Sequence, residues 1–299
     1  MIKLIITGGC SFSDQYSIFT WPILLQQRVQ SKYPKIKFRH TGMASQGQEL
    51  IQKKISIALI EELENYKPNE ILVLPMWSGT ERKAFWIDNP EVVKETVSNW
   101  SKNGLSWTLQ FHNLYSELTD SNLTSSNNTR YNPAGGWYHC NYESPDSKIS
   151  KEFFNIHSTV IGFATISLEN IVFLHNLCKL KGVHLYHSFY RSYVYNDIHE
   201  NREHQNLKYL YKMLDHDNIV DTTGMYEHLR PLKHANEGAY ANNIFGKNAV
   251  IGDYSDTAQY FCSDNAHPNT LGTAKWLDEV LVPKLNEKKL LNIIKKETL

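Results

Sequence analysis

Two hydrophobic periods alternate along this chain. Residues 2–7 (Ile-Lys-Leu-Ile-Ile-Thr) are a short, mostly apolar, β-branched run bounded by Gly8 and Gly9, which predicts a buried strand. Residues 21–31 follow with a helical pattern, and Pro22 stands near the first turn, where a missing N–H goes unnoticed. Residues 36–40 predict a second strand. In residues 47–66 the apolar positions Ile51, Ile55, Ala58, Leu59 and Leu63 recur at helical spacing. Residues 70–76 (Glu-Ile-Leu-Val-Leu-Pro-Met) are a continuous apolar run that suits a third, buried, parallel strand.

Residues 80–155 break this alternation. They are rich in Asn, Ser, Trp and Tyr, show little periodicity, and contain the loop signal Asn132-Pro133-Ala134-Gly135-Gly136-Trp137. A segment of this kind inside a domain is usually a lid or a binding insertion, and its aromatic content speaks against disorder. Regular patterning resumes in a long apolar stretch, residues 160–180, that stops before Gly182, a residue suited to ending a helix. Glu169, Asn170, His175 and Lys179 lie within it, so a buried helix is expected rather than a membrane span. Residues 183–186 predict a fourth strand, 200–214 a helix, and 219–221 a short fifth strand. Pro268 opens a final helix through residue 281, and the basic, amphipathic residues 284–299 suit a surface helix. Repeated β–α units imply a parallel sheet with helices on both faces. The expectation is one α/β domain over residues 1–299, with 80–155 as an insertion or lid within it.

Composition narrows the class of partner. The 31 basic residues balance 31 acidic ones, so no broad basic field invites nucleic acid. The first residues already read as a core strand with no basic leader, which predicts no signal peptide and a cytoplasmic protein. The four cysteines, Cys10, Cys140, Cys178 and Cys262, lack C-x-x-C spacing and suit reduced thiols. No compact set of metal ligands stands out, so neither metal nor cofactor is expected. His184 and His187 flank a strand end and are further candidates to approach a site. The oligomeric state is open.

The chemistry-bearing residues lie at the two ends of the chain. Gly8-Gly9-Cys10-Ser11-Phe12-Ser13 follows the first strand directly, and Asp264-Asn265-Ala266-His267-Pro268 stands late. A hydroxyl on a tight turn, a histidine and a carboxylate are the parts of a nucleophilic triad. Ligand sites in parallel α/β sheets form outside the carboxyl ends of the strands, where Ser11 would stand. His267, just before Pro268, would be held near the start of a helix, with Asp264 close enough to curl back to its ring. The plain alternatives are a turn serine and a helix-capping carboxylate beside an ordinary histidine. Cys10 is the rival nucleophile, although adjacent residues point in different directions and a small buried residue under the turn suits it better.

The pattern resembles the SGNH/GDSL hydrolase family, in which a Gly-Asp-Ser turn after the first strand carries the nucleophile and a late Asp-x-x-His supplies the rest. Here Gly9-Cys10-Ser11 stands in place of Gly-Asp-Ser, and a Gly-Cys-Ser-Phe-Ser variant occurs among phage and bacterial members. The resemblance implies a three-layer α/β/α sandwich of flavodoxin-like type and a catalytic triad of Ser11, His267 and Asp264. It implies an oxyanion hole that begins with the N–H of Ser11. The family's second block is a loop glycine after strand two; Gly47 is the candidate here and Gly42 the fallback, against a plain turn glycine. The third block is Gly-x-Asn-Asp after strand three. This chain has Trp77-Ser78-Gly79-Thr80-Glu81-Arg82 there, so Ser78 or Thr80 would donate in place of Asn, or the donor is missing.

Trp77 is a candidate to wall the substrate pocket or else a core tryptophan, and Arg82 is a candidate to line the pocket by offering charge to an anionic group. Trp107, Trp137 and Tyr138 of the insertion offer faces for stacking on a sugar, unless they only pack the insertion onto the body. The resemblance implies a serine esterase acting on a carboxylic ester, such as an O-acetyl group on a carbohydrate, without cofactor. The alternative is a catalytically degenerate member that binds a glycan or a protein partner.

Overall fold

The computed structural model of the chain describes residues 1–14, 20–43, 46–80, 82–87, 109–110, 136–141, 152, 155, 159–230, 260 and 267–291; for 84–87, 109–110 and 136–141 it describes the course of the backbone. Strand β1 (Leu4–Gly8) is buried at every residue and lies between β2 (Lys37–His40) and β3 (Ile71–Trp77), parallel to both. β3 is likewise buried throughout, as a central strand covered on both faces must be. β2 is the polar edge, and its Arg39 pairs with Glu61 and Glu62.

The far side of β3 shows how one residue shapes a sheet. Two short strands, β7 (His184–Leu185) and β8 (Ser188–Phe189), pair with it in succession at Leu72–Val73 and at Met76–Trp77. The gap between them faces Leu74 and Pro75. Proline has no N–H to give a ladder. The pairing resumes in the same register, and Ser188 Oγ donates to the Pro75 carbonyl at 3.0 Å. At the gap His187 turns to its other side and forms a parallel bridge with Ile219. The expected fifth strand at 219–221 is this single bridge.

Helices pack against the sheet in two groups. α1 (Trp21–Lys32) meets the C-terminal helices through the Trp21 and Trp276 rings, 6.0 Å apart, and through a two-pronged Arg28–Asp278 pair. That C-terminal stretch is α7 (Thr270–Trp276), one π turn (Leu277–Leu281) and α8 (Val282–Glu287). Pro283 accounts for the π turn, because it cannot continue the i to i−4 ladder. The helix therefore runs past residue 281.

α2 (Gln48–Glu62) packs on β1, β3 and α3 (Val160–Lys181), burying Ile51, Ile55, Ala58 and Leu59. Each such side chain contributes up to about 2–3 kcal/mol of transfer free energy. α3 starts at Thr159, whose Oγ accepts from Gly162 N, and stops at Gly182 in the left-handed conformation (φ 75°). It is long and apolar enough to cross a membrane, yet Phe163, Leu168, Ile171, Leu174 and Cys178 are buried within the protein.

The described residues hold three further short helices, α4 (Ser192–Glu200), α5 (Lys208–Met213) and α6 (Met225–Leu229). The expected helix over 200–214 is thus replaced by an earlier helix, a run of turns and one short helix.

The segment expected to be irregular holds a second, antiparallel sheet. β4 (Arg82–Ile87), β5 (Leu109–Gln110) and β6 (Gly136–Asn141) pair in the order β4-β6-β5, with Arg82 opposite Asn141 and Ile87 opposite Gly136. Trp137 and Tyr138 lie on β6. Trp107 and most of 80–155 lie outside the described residues.

Candidate active site

β1 sends its chain to β2 on one side, while the next strand, β3, lies on the other. Ligand crevices open at such a reversal, beyond the carboxyl ends of the strands. Gly8 faces Pro75 in the register, so Ser11 and Ser78 each stand three residues past that level.

The turn after β1 demands glycine. A Cβ at Gly9 (φ 157°) would come within 2.4 Å of Ser13 Oγ and 2.7 Å of the Met76 carbonyl oxygen. At Gly42 a Cβ would meet the Ser13 carbonyl oxygen at 2.0 Å, and Met43 N donates to the Gly9 carbonyl at 3.1 Å. The loop after β2 therefore closes directly onto the turn, which continues as a single 3-10 turn, Ser11–Ser13. The two serines diverge there. Ser13 is buried and accepts the Trp21 indole N–H at 2.8 Å, whereas Ser11 is partly exposed. Cys10 is fully buried, the position expected of a packing residue.

His267 arrives from the other end of the chain, and its Nε2 lies 2.8 Å from Ser11 Oγ. Two devices hold it in place. Asn269, not Pro268, caps α7: its side chain accepts Gly272 N at 3.0 Å, and its own N–H donates to the Tyr260 carbonyl. Pro268 therefore precedes the helix instead of opening it. The imidazole also lies against the Phe12 ring, with centroids 5.6 Å apart. For Nε2 to accept the Ser11 proton, the ring proton must sit on Nδ1. Asp264, the expected partner of Nδ1, lies outside the described residues.

Gly47 is buried at the N-cap of α2, and its carbonyl accepts Ile51 N. Next to it Gln48 donates from Nε2 to the Ser78 carbonyl at 2.7 Å, tying the start of α2 to the exit of β3. Ser78 and Thr80 are both buried. The Ser78 hydroxyl and Gln48 Oε1 have no hydrogen-bond partner among the described residues. Buried polar atoms are seldom left so, and each such atom invites a ligand or a water as its partner.

Two expectations need correction. Trp77 does not wall an open pocket: it is 0% exposed and its indole N–H donates to His187 Nδ1 at 3.0 Å. His187 belongs to the core as well, stacked on His175 at 5.8 Å, and burial pushes its pKa down to about 3. His184 pairs opposite Leu72, toward the amino end of β3 and away from Ser11. Arg82 begins β4, and its guanidinium lies over the ring of Tyr190 at 5.3 Å. Tyr190, which no sequence pattern marked, meets the Phe12 ring edge-on at 5.3 Å. No group of metal-ligating side chains occurs among the described residues.

Comparison of the chain with protein-family models, curated proteins and solved structures returned no match.

Proposed function

We propose that the chain is a serine ester hydrolase of the SGNH/GDSL kind, built as a three-layer α/β/α sandwich of flavodoxin-like type. The observation that carries this reading is the 2.8 Å contact between Ser11 Oγ and His267 Nε2 at the carboxyl end of the parallel sheet. Ser11 Oγ attacks the ester carbonyl while His267 Nε2 takes its proton. The imidazolium returns that proton to the leaving alcohol, and an acyl-Ser11 ester remains. Water, deprotonated by the same nitrogen, cleaves the acyl group and restores Ser11. Asp264 is the proposed carboxylate that fixes the Nδ1–H tautomer.

The oxyanion would be held by the N–H groups of Ser11 and Gly47. The orphan Ser78 hydroxyl is the third donor, standing for the Asn of the family, with Thr80 beside it. One such donor contributes about 3–4 kcal/mol of barrier lowering. Labelling with a fluorophosphonate tests the reading: an adduct on Ser11, absent in Ser11→Ala, is expected. An unlabelled Ser11 in folded protein would overturn it. It would favour a degenerate member that binds a glycan or a protein, a reading to which the missing Asn after β3 lends support.

A further inference from the structure

We propose that Gln46 and Gln48, on either side of Gly47, are positioning residues that hold the three oxyanion donors in one frame. This rests on the esterase reading above and adds the residues that keep its site in register.

The donors come from three separate stretches of chain. Ser11 follows β1, Gly47 caps α2 after β2, and Ser78 leaves β3. The β1–β3 ladder ends where Gly8 faces Pro75, short of both serines. Past that level the ladder fixes neither donor relative to the other. Buried side chains of the α2 entry take over that task.

Gln48 is buried and donates from Nε2 to the Ser78 carbonyl at 2.7 Å. Gln46, also buried, serves the other side. Its amide oxygen accepts from Lys54 Nζ at 3.0 Å, and its nitrogen donates to the Gly9 carbonyl at 3.3 Å. The opposite orientation would set an NH2 group against the Lys54 ammonium and gain only a 3.3 Å bond to the Thr41 carbonyl. Lys54 is itself buried, so its charge locks the amide. The Gly9 carbonyl then has both lone pairs taken, by Gln46 and by Met43 N at 3.1 Å. The next carbonyl, that of Cys10, accepts Ser13 N at 2.8 Å and fixes the planar peptide that bears the Ser11 N–H. Residues 46–48 thus bolt the Gly47 loop to the nucleophile turn on one side and to the exit of β3 on the other.

The arrangement is poor as packing and apt as alignment. Gln48 Oε1 is buried with no partner among the described residues, which a side chain kept for stability alone would avoid. A methionine of the same length would bring no orphan oxygen. What accounts for the amide is the target of its N–H, the carbonyl of the residue whose hydroxyl is the third donor. Donors stabilise a developing oxyanion most when they are already in place and need no rearrangement.

Hydrolysis of p-nitrophenyl acetate by variants shown to be folded by their urea midpoints tests the brace. Gln48→Met keeps the length of the side chain and loses the donor to Ser78. Gln46→Glu keeps an acceptor for Lys54 and loses the donor to Gly9. Each should lower kcat by about tenfold or more with KM little changed. Phenylboronic acid forms a tetrahedral adduct with Ser11 Oγ, and its binding should weaken by about the same factor as kcat/KM. Gln52→Met is the control: this buried amide donates to Ser56 Oγ within α2 at 2.9 Å, and its loss should leave kcat near the native value. A fall of less than about tenfold in either folded variant, or an equal fall in Gln52→Met, would overturn the brace and leave the esterase reading standing. Should Gln46→Glu not fold, Gln48→Met decides alone. A native chain that neither hydrolyses the ester nor takes a fluorophosphonate on Ser11 overturns the esterase reading, and the brace falls with it.

Discussion

Ser11 Oγ and His267 Nε2 are in hydrogen-bond contact although they lie 256 positions apart in the chain. Each is fixed by packing of its own: Ser11 by a glycine turn pressed against Met76 and Ser13, His267 by a capped helix and the Phe12 ring. A contact between two independently anchored side chains is what a proton relay requires. Ser11→Ala should therefore lower hydrolysis of p-nitrophenyl acetate by at least about a thousandfold. Cys10→Ala should keep most of the activity, because that thiol is fully buried, and should cost about 1 kcal/mol of stability. The reverse pattern in steady-state rates would make Cys10 the nucleophile.

Asp264 tests the orientation of the imidazole. Asp264→Asn should leave the fold intact and favour the wrong tautomer, since an amide N–H would face Nδ1. A fall in kcat of about a thousandfold or more, with little change in KM, is expected. A change of less than tenfold would assign the tautomer control to another group.

Local signals were legible in the sequence, and distant ones were not. β1, β3, α1, α2 and the Gly182 stop each follow from a short run of residue types, and they stand within a few residues of their expected bounds. Ser11 and His267 stood out because each lies in a compact motif. The β4–β6 ladder went unseen because its partners are far apart in sequence and neither strand alternates cleanly. α4 (Ser-Tyr-Val-Tyr-Asn-Asp-Ile-His-Glu) is made of weak helix formers, and its helix rests on burying Tyr193, Val194, Tyr195 and Ile198. Trp77 and His187 misled for the opposite reason: polar-capable rings near a strand end suggest a site, but here each satisfies the other inside the core. The Phe12–Tyr190–Arg82 contacts form only in the tertiary fold.

Gly9 carries the geometry of the nucleophile turn. Gly9→Ala must place a methyl group against Ser13 Oγ and the Met76 carbonyl at a backbone angle that L residues rarely adopt. A loss of more than about 2 kcal/mol in urea unfolding is expected, together with a drop in kcat larger than that in 1/KM. Backbone cannot yield as a flexible side chain does, so an undiminished midpoint would mean that the turn itself relaxes.

Acid should weaken the fold through its buried histidines. Burial holds His187 near a pKa of about 3 and His40 near about 4, against 6.5 when exposed. Both are depressed, so between these values and 6.5 the unfolded chain binds more protons than the folded one. Stability therefore rises with pH across that window and falls as pH drops below 6.5. For His187 the loss between pH 7 and pH 5 is about 2 kcal/mol, since the folded ring stays neutral throughout that interval. Urea midpoints at the two pH values measure it. His187→Gln keeps an acceptor for the Trp77 indole N–H but cannot titrate. It should be less stable than the native chain at pH 7 and show a shallower decline toward pH 5. An identical slope in the variant would mean that His187 does not take part in the pH dependence.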